Sequence, residues 1–125
     1  TYDALVIGAG PAGATAAMLL AREGWSVAVV EKAPFPRRKV CGEFISATSL
    51  PLLQKLGLAG AYLAQAGPSV RNVGLYAGET MLVADMPALG DGAELFGRAL
   101  GRDHFDALML SGAAVSGADV FQPWT

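Results

Sequence analysis

The first thirty residues alternate between apolar runs and glycine or polar breaks, a pattern that predicts a strand, a helix and a second strand in succession. Ala4-Leu5-Val6-Ile7 is short and wholly apolar and reads as a buried strand. Gly8, Gly10 and Gly13 interrupt it where a tight turn must form. Helical spacing follows through Thr15, Met18, Leu19 and Arg22, with Gly24 as the residue beyond the helix end. Pro11 falls in the first helical turn, where its missing N–H costs nothing. Ser26-Val27-Ala28-Val29-Val30 is the second strand, and Glu31 closes it, eighteen residues after Gly13.

Further along, Lys32 to Gly42 reads as a loop, because Pro34, Pro36 and the adjacent cations Arg37, Arg38 and Lys39 prevent a packed strand or helix. Leu50, Leu53 and Leu56 lie at helical spacing in a helix predicted over Ser46 to Leu56, with Pro51 in its first turn and Gly57 as its stop. The uncharged stretch Leu56 to Val70 reads as a buried helix and loop rather than as a membrane-contacting segment. Val70 to Tyr76 and Thr80 to Ala84, joined at Ala77-Gly78-Glu79, predict an antiparallel hairpin. Met86 to Gly97 is a loop, in which Asp91-Gly92 is a turn. From Arg102 onward Phe105, Leu108 and Met109 keep a helical face. Ser111-Gly112 and Ser116-Gly117 blur the end of that helix, since glycine in a helix interior costs about 1 kcal/mol relative to alanine. Ala118 to Gln122 is a third parallel strand, stopped by Pro123.

Composition narrows the class. The 125 residues suffice for one core but hold only the opening of a doubly wound sheet, so the chain reads as truncated, a fragment of a longer protein. A net charge of −2 and no long basic stripe argue against a nucleic-acid partner. The single Cys excludes an internal disulfide and fits a cytoplasmic location. Ala4 to Ala21 is uncharged and long enough to suggest a membrane span, but its three glycines and one proline split it into strand and helix, so no transmembrane segment is expected.

The glycine turn is where chemistry enters. Gly8 suits a positive φ, Gly10 lets backbone approach a pyrophosphate, and Gly13 lets helix and strand pack closely. Pro11 and Ala12 open a helix whose N-terminus offers N–H groups and a positive dipole end to phosphates. Glu31 can accept both ribose hydroxyls of an adenosine and would repel a 2′-phosphate, so FAD or NAD fits and NADP does not. Strand, turn, helix, strand and acid together make a dinucleotide-binding fingerprint in its proper context.

The segments DALVIGAGPAG (Asp3 to Gly13), VEKAPFPRRKVCGEFIS (Val30 to Ser46) and GRALGRDHFDALML (Gly97 to Leu110) resemble the FAD-dependent monooxygenases of the p-hydroxybenzoate hydroxylase type, with their relatives the geranylgeranyl reductases and flavin halogenases. The resemblance implies an α/β, doubly wound, Rossmann-like FAD-binding domain of the GR type, with a β-hairpin excursion toward a substrate domain. On that reading residues 1–69 begin the FAD-binding domain, 70–96 belong to the substrate domain, and 97–125 return to the FAD-binding domain.

The same resemblance implies FAD as cofactor, NAD(P)H as electron donor, a small hydrophobic or aromatic substrate, and in some branches a separate flavin reductase partner. It places the Arg37-Arg38-Lys39 loop and Gly42 along the cofactor. The cofactor-binding set is then Gly8, Gly10, Pro11, Ala12, Gly13, Glu31, Lys32, Arg38, Lys39, Gly42 and Arg102, with a salt bridge to Asp103 or Asp106 as the alternative use of Arg102. Arg98 has weaker support. No metal site is expected and no catalytic residue is assigned. Cys41 reads first as a small buried thiol, His104 as a surface or capping residue, and Glu43 as either solvent-facing or substrate-polarising. The activity implied is hydroxylation of an aromatic, isoprenoid or polyketide molecule. Prenyl reduction is the alternative that Lys39-Val40-Cys41-Gly42 favours and Glu43 weakens; halogenation and a non-enzymatic nucleotide-binding module remain open beside it.

Overall fold

The computed structural model describes residues 1–40, 42–90 and 95–124. Its centre is a three-stranded parallel sheet of β1 (Ala4–Ile7), β2 (Val27–Val30) and β7 (Asp119–Phe121), in the order β1-β2-β7. Ala4 to Ile7 pair in register with Val27 to Val30, and Ala28 to Val30 pair with Asp119 to Phe121. Helices α1 (Pro11–Arg22) and α4 (Arg102–Val115) pack side by side on one face of this sheet. Parallel neighbours need such crossover helices, and the two here bury Ala14, Ala17, Met18, Met109, Leu110 and Ala113 beneath them.

The predicted limits hold closely for these elements. Gly24 has φ +85, its N–H bonds Ala21 O and that of Trp25 bonds Leu20 O, so α1 ends in a paired C-terminal closure that satisfies otherwise orphan carbonyls. Helix α4 runs through Ser111 and Gly112. A Cβ on Gly112 would lie 3.1 Å from the Met18 methyl and 3.2 Å from Leu58, so the missing side chain lets α4 pack against α1 and Leu58. The third strand is shorter than expected at both ends.

Three expectations need correction. β1 is not buried on both faces: Leu5 and Ile7 are 61% and 83% exposed, because β1 is an edge strand and no described element covers the face away from α1. The helix predicted over Ser46 to Leu56 is a single 3-10 turn at Ala47–Ser49 followed by α2 (Leu50–Lys55), and no Ser46 side chain caps it. Instead Ser46 Oγ lies 2.7 Å from Thr48 Oγ1. The next helix, α3 (Ala59–Gln65), buries only Tyr62, whose hydroxyl donates to Arg98 O, while Leu63 on its outer face is exposed.

The hairpin of β4 (Asn72–Ala77) and β5 (Thr80–Asp85) pairs Ala77 with Thr80 across Gly78-Glu79, and all twelve of its strand residues are exposed. Two short strands that the sequence does not announce, β3 (Phe44–Ile45) and β6 (Arg98–Ala99), pair antiparallel and bring the segment after the basic loop against the start of α4. Among the described residues no helix is long and apolar enough to cross a membrane.

Candidate functional site

The glycine turn is built as its sequence requires. Gly8 has φ +97, and its N–H donates to Val30 O, which ties the end of β1 to the end of β2. A Cβ on Gly13 would collide with Gly8 O and lie 3.2 Å from Val6 Cγ1, so glycine there is a packing requirement between helix and strand. Gly10 differs: no atom lies within 4 Å of where its Cβ would be. The space over Gly10 is open, and Gly10 is also the N-cap of α1, with no side chain capping the helix. Pro11 and Ala12 begin the helix beside it. The first N–H groups of an α-helix have no partner within it, so this end presents donors and a positive dipole end to an anion.

Glu31 stands at the end of β2, beside that turn. Its own N–H bonds Phe121 O and its carbonyl accepts the Trp124 N–H, so β7 and the residues after it hold its backbone. The side chain is 4% exposed; Oε2 accepts the Ala9 N–H at 2.9 Å and Oε1 the Ala33 N–H at 3.0 Å. Arg37 Nη2 lies 3.5 Å from Oε2. Burial pushes the Glu31 carboxyl upward, but the two backbone donors and the charges of Arg37 and Lys32 outweigh it and hold the group below its ordinary value. Lys32 itself is exposed.

The remaining predicted cations meet elsewhere. Arg38, Lys39, Gly42 and Arg102 line one cleft of about 600 Å³, together with Glu43 and Asp103. Arg102 is fixed there from behind: Nε and Nη2 donate to the two carboxylate oxygens of fully buried Asp106 at 2.7 and 3.0 Å. Of the two acids weighed for Arg102, the structure therefore selects Asp106. Asp103 instead accepts the His104 N–H and lies 2.9 Å from His104 Nδ1 at the surface. Arg98 donates to Gly67 O and pairs in β6, which gives it a structural place. Cys41 and Asp91-Gly92 lie outside the described residues.

One feature escaped the sequence. The pairing of Arg37 with Glu31 depends on the path of an irregular loop, for which no periodicity gives a signal; only the clustering of cations hinted at it. The Arg102–Asp106 pair was one of the two alternatives read from the sequence, and its (i, i+4) spacing on a helix is what favours it over Asp103.

The residues fit a dinucleotide on structural grounds: an open space over Gly10, an uncapped helix end, an acid beside the turn and, on Arg37, a buried Nε that bonds nothing among the described residues. A mononucleotide- or dinucleotide-binding α/β domain is what this arrangement defines. The chain belongs to the FAD binding domain family, which it matches over residues 1–122. It is 36% identical over 118 residues to the tryptophan 2-halogenase of Chondromyces crocatus, covering 94% of this chain and 22% of that protein. To the digeranylgeranylglycerophospholipid reductase of Picrophilus torridus it is 35% identical over 121 residues, 96% of this chain and 29% of that one. The solved structure of the myxobacterial chondrochloren halogenase CndH, an FAD-dependent halogenase, superposes with a TM-score of 0.83 at 26% identity, over 98% of this chain and 28% of the other. The chain thus spans less than a third of the length of each of these proteins.

Proposed function

We propose that the complete protein is a flavin monooxygenase that binds FAD with its adenosine over Gly8 to Glu31 and hydroxylates a small aromatic, isoprenoid or polyketide molecule. When bound, FAD supplies the redox chemistry: it takes two electrons from NAD(P)H and activates dioxygen, one atom of which enters substrate while the other leaves as water. This chain's residues hold and orient. Gly10, Ala12 and Gly13 present backbone donors to the pyrophosphate, Glu31 takes the ribose, and Arg38, Lys39, Gly42 and Arg102 line a cationic cleft for the rest of the cofactor. The observation that carries the reading is the open, uncapped glycine turn with a buried acid beside it, in a chain of the FAD binding domain family. Likeness to a halogenase over nearly the whole chain supports oxidative use of the flavin, since forming a carbon–halogen bond from halide is also an oxidation.

A second reading, reduction of a prenyl double bond by hydride from the flavin, is favoured by the comparable likeness to a prenyl-lipid reductase and by the Lys39-Val40-Cys41-Gly42 step. The test is to reduce the full-length protein with NADPH, admit ¹⁸O₂ and supply aromatic and isoprenoid compounds. One labelled oxygen in product supports hydroxylation. A saturated, unlabelled product means the reductase reading, a halide-dependent product means halogenation, and flavin that NADPH cannot bleach assigns electron delivery to a separate reductase.

A further inference from the structure

The acid at the end of β2 does not work alone. Arg37 lies on the loop that follows it, with Nη2 at 3.5 Å from Glu31 Oε2 and its guanidinium carbon 5.0 Å from the centre of the Phe35 ring. Phe35 is itself held, its N–H donating to Gln122 Oε1 beyond β7. The guanidinium is therefore set in place from two sides before any ligand arrives. The side chain is nonetheless 24% exposed, so part of the fixed guanidinium stays open beside the carboxylate.

A ribose hydroxyl is at once a donor and an acceptor, whereas an ionised carboxylate only accepts. Glu31 can satisfy the donating half alone. Its two oxygens have roughly four acceptor sites between them, so the Ala9 and Ala33 N–H groups and Arg37 do not exhaust it. The accepting half of the hydroxyl needs an N–H next to that carboxylate. Resting on the FAD reading above, we propose that Arg37 is a second ribose-binding residue, whose guanidinium donates to the adenosine hydroxyl that in turn donates to Glu31. Arg37 and Glu31 then form one donor–acceptor pair that recognises a diol, and the pair, rather than the acid alone, selects the adenosine end of the cofactor. The Phe35 ring keeps the planar guanidinium oriented, which a lysine could not reproduce.

The experiment compares ADP with 2′,3′-dideoxy-ADP on flavin-free, full-length protein, by calorimetry, for the wild type, Arg37→Ala and Arg37→Lys. The proposal expects Arg37→Ala to weaken ADP about tenfold while changing dideoxy-ADP by no more than about twofold, because the lost bond goes to a hydroxyl the second ligand lacks. Arg37→Lys keeps the charge beside Glu31 without the planar, ring-oriented guanidinium and should lose ADP affinity similarly; it carries the comparison if the alanine variant does not fold. Equal losses for both ligands would overturn the proposal in favour of a phosphate or general charge contact, and no loss for either would make Arg37 a purely structural partner of Glu31. If the wild type binds no ADP at all, the FAD reading fails with it, and that outcome is recognised without any variant.

Discussion

The glycines of the turn look alike in sequence and differ in what they exclude. Over Gly10 there is nothing, so Gly10→Val should leave the melting temperature within a degree or two while blocking FAD uptake. At Gly13 the obstacle is backbone, and overpacking of that kind costs about 1–3 kcal/mol, so Gly13→Ala should lower stability to urea by at least that much even without cofactor. Both roles were legible in the sequence because they follow from local sterics within one strand–turn–helix. Glu31 was legible as an acid beside the turn but not as a clip that binds Ala9 and Ala33, since those bonds depend on where the turn and the loop come to lie. The clip has a pH signature. The folded carboxyl is held below the ordinary 4.5, so its contribution to stability is complete above that value and is lost as pH falls through the lower folded value. Urea midpoints measured on either side of pH 4.5 should fall more steeply on acidification for the wild type than for Glu31→Gln. Parallel curves would remove the clip from the account.

At the scale of elements, the ion pair on α4 ties the cleft to the core. Asp106 is fully buried and holds two of the Arg102 nitrogens, so Asp106→Ala removes two charge-assisted hydrogen bonds from a mostly buried guanidinium and should cost about 3 kcal/mol, with Arg102 displaced from the cleft. Chemical denaturation measures the first effect, and weaker FAD retention the second; a loss under half a kilocalorie would show that Arg102 is held by other means. Periodicity found α1, β2, α4 and the hairpin, each long enough to show its spacing. It did not find β3 and β6, two residues apiece, because a strand that short has no period to read. It blurred the end of α4 at Gly112, where the reason for glycine lies outside α4, in the Met18 methyl and Leu58 that fill the space a side chain would occupy.

Taken whole, the chain presents the cofactor-facing end of a doubly wound sheet with much apolar surface still uncovered. Leu5 and Ile7 on β1, both faces of the hairpin, and a groove of about 840 Å³ between α1 and α2 lined by Leu19, Phe44 and Leu52 are exposed. The assignment of the hairpin to a substrate domain remains a proposal consistent with that exposure. The sequence could not have given the open face of β1, because an apolar strand reads the same whether or not its second face is covered. The most direct test is the visible absorption of the full-length protein and its Gly10→Val variant after incubation with FAD and gel filtration. Flavin bands on the wild type and none on a variant that melts at the same temperature are the predicted result. A colourless wild type, or a variant that retains flavin equally, would contradict the placement of the cofactor over the glycine turn.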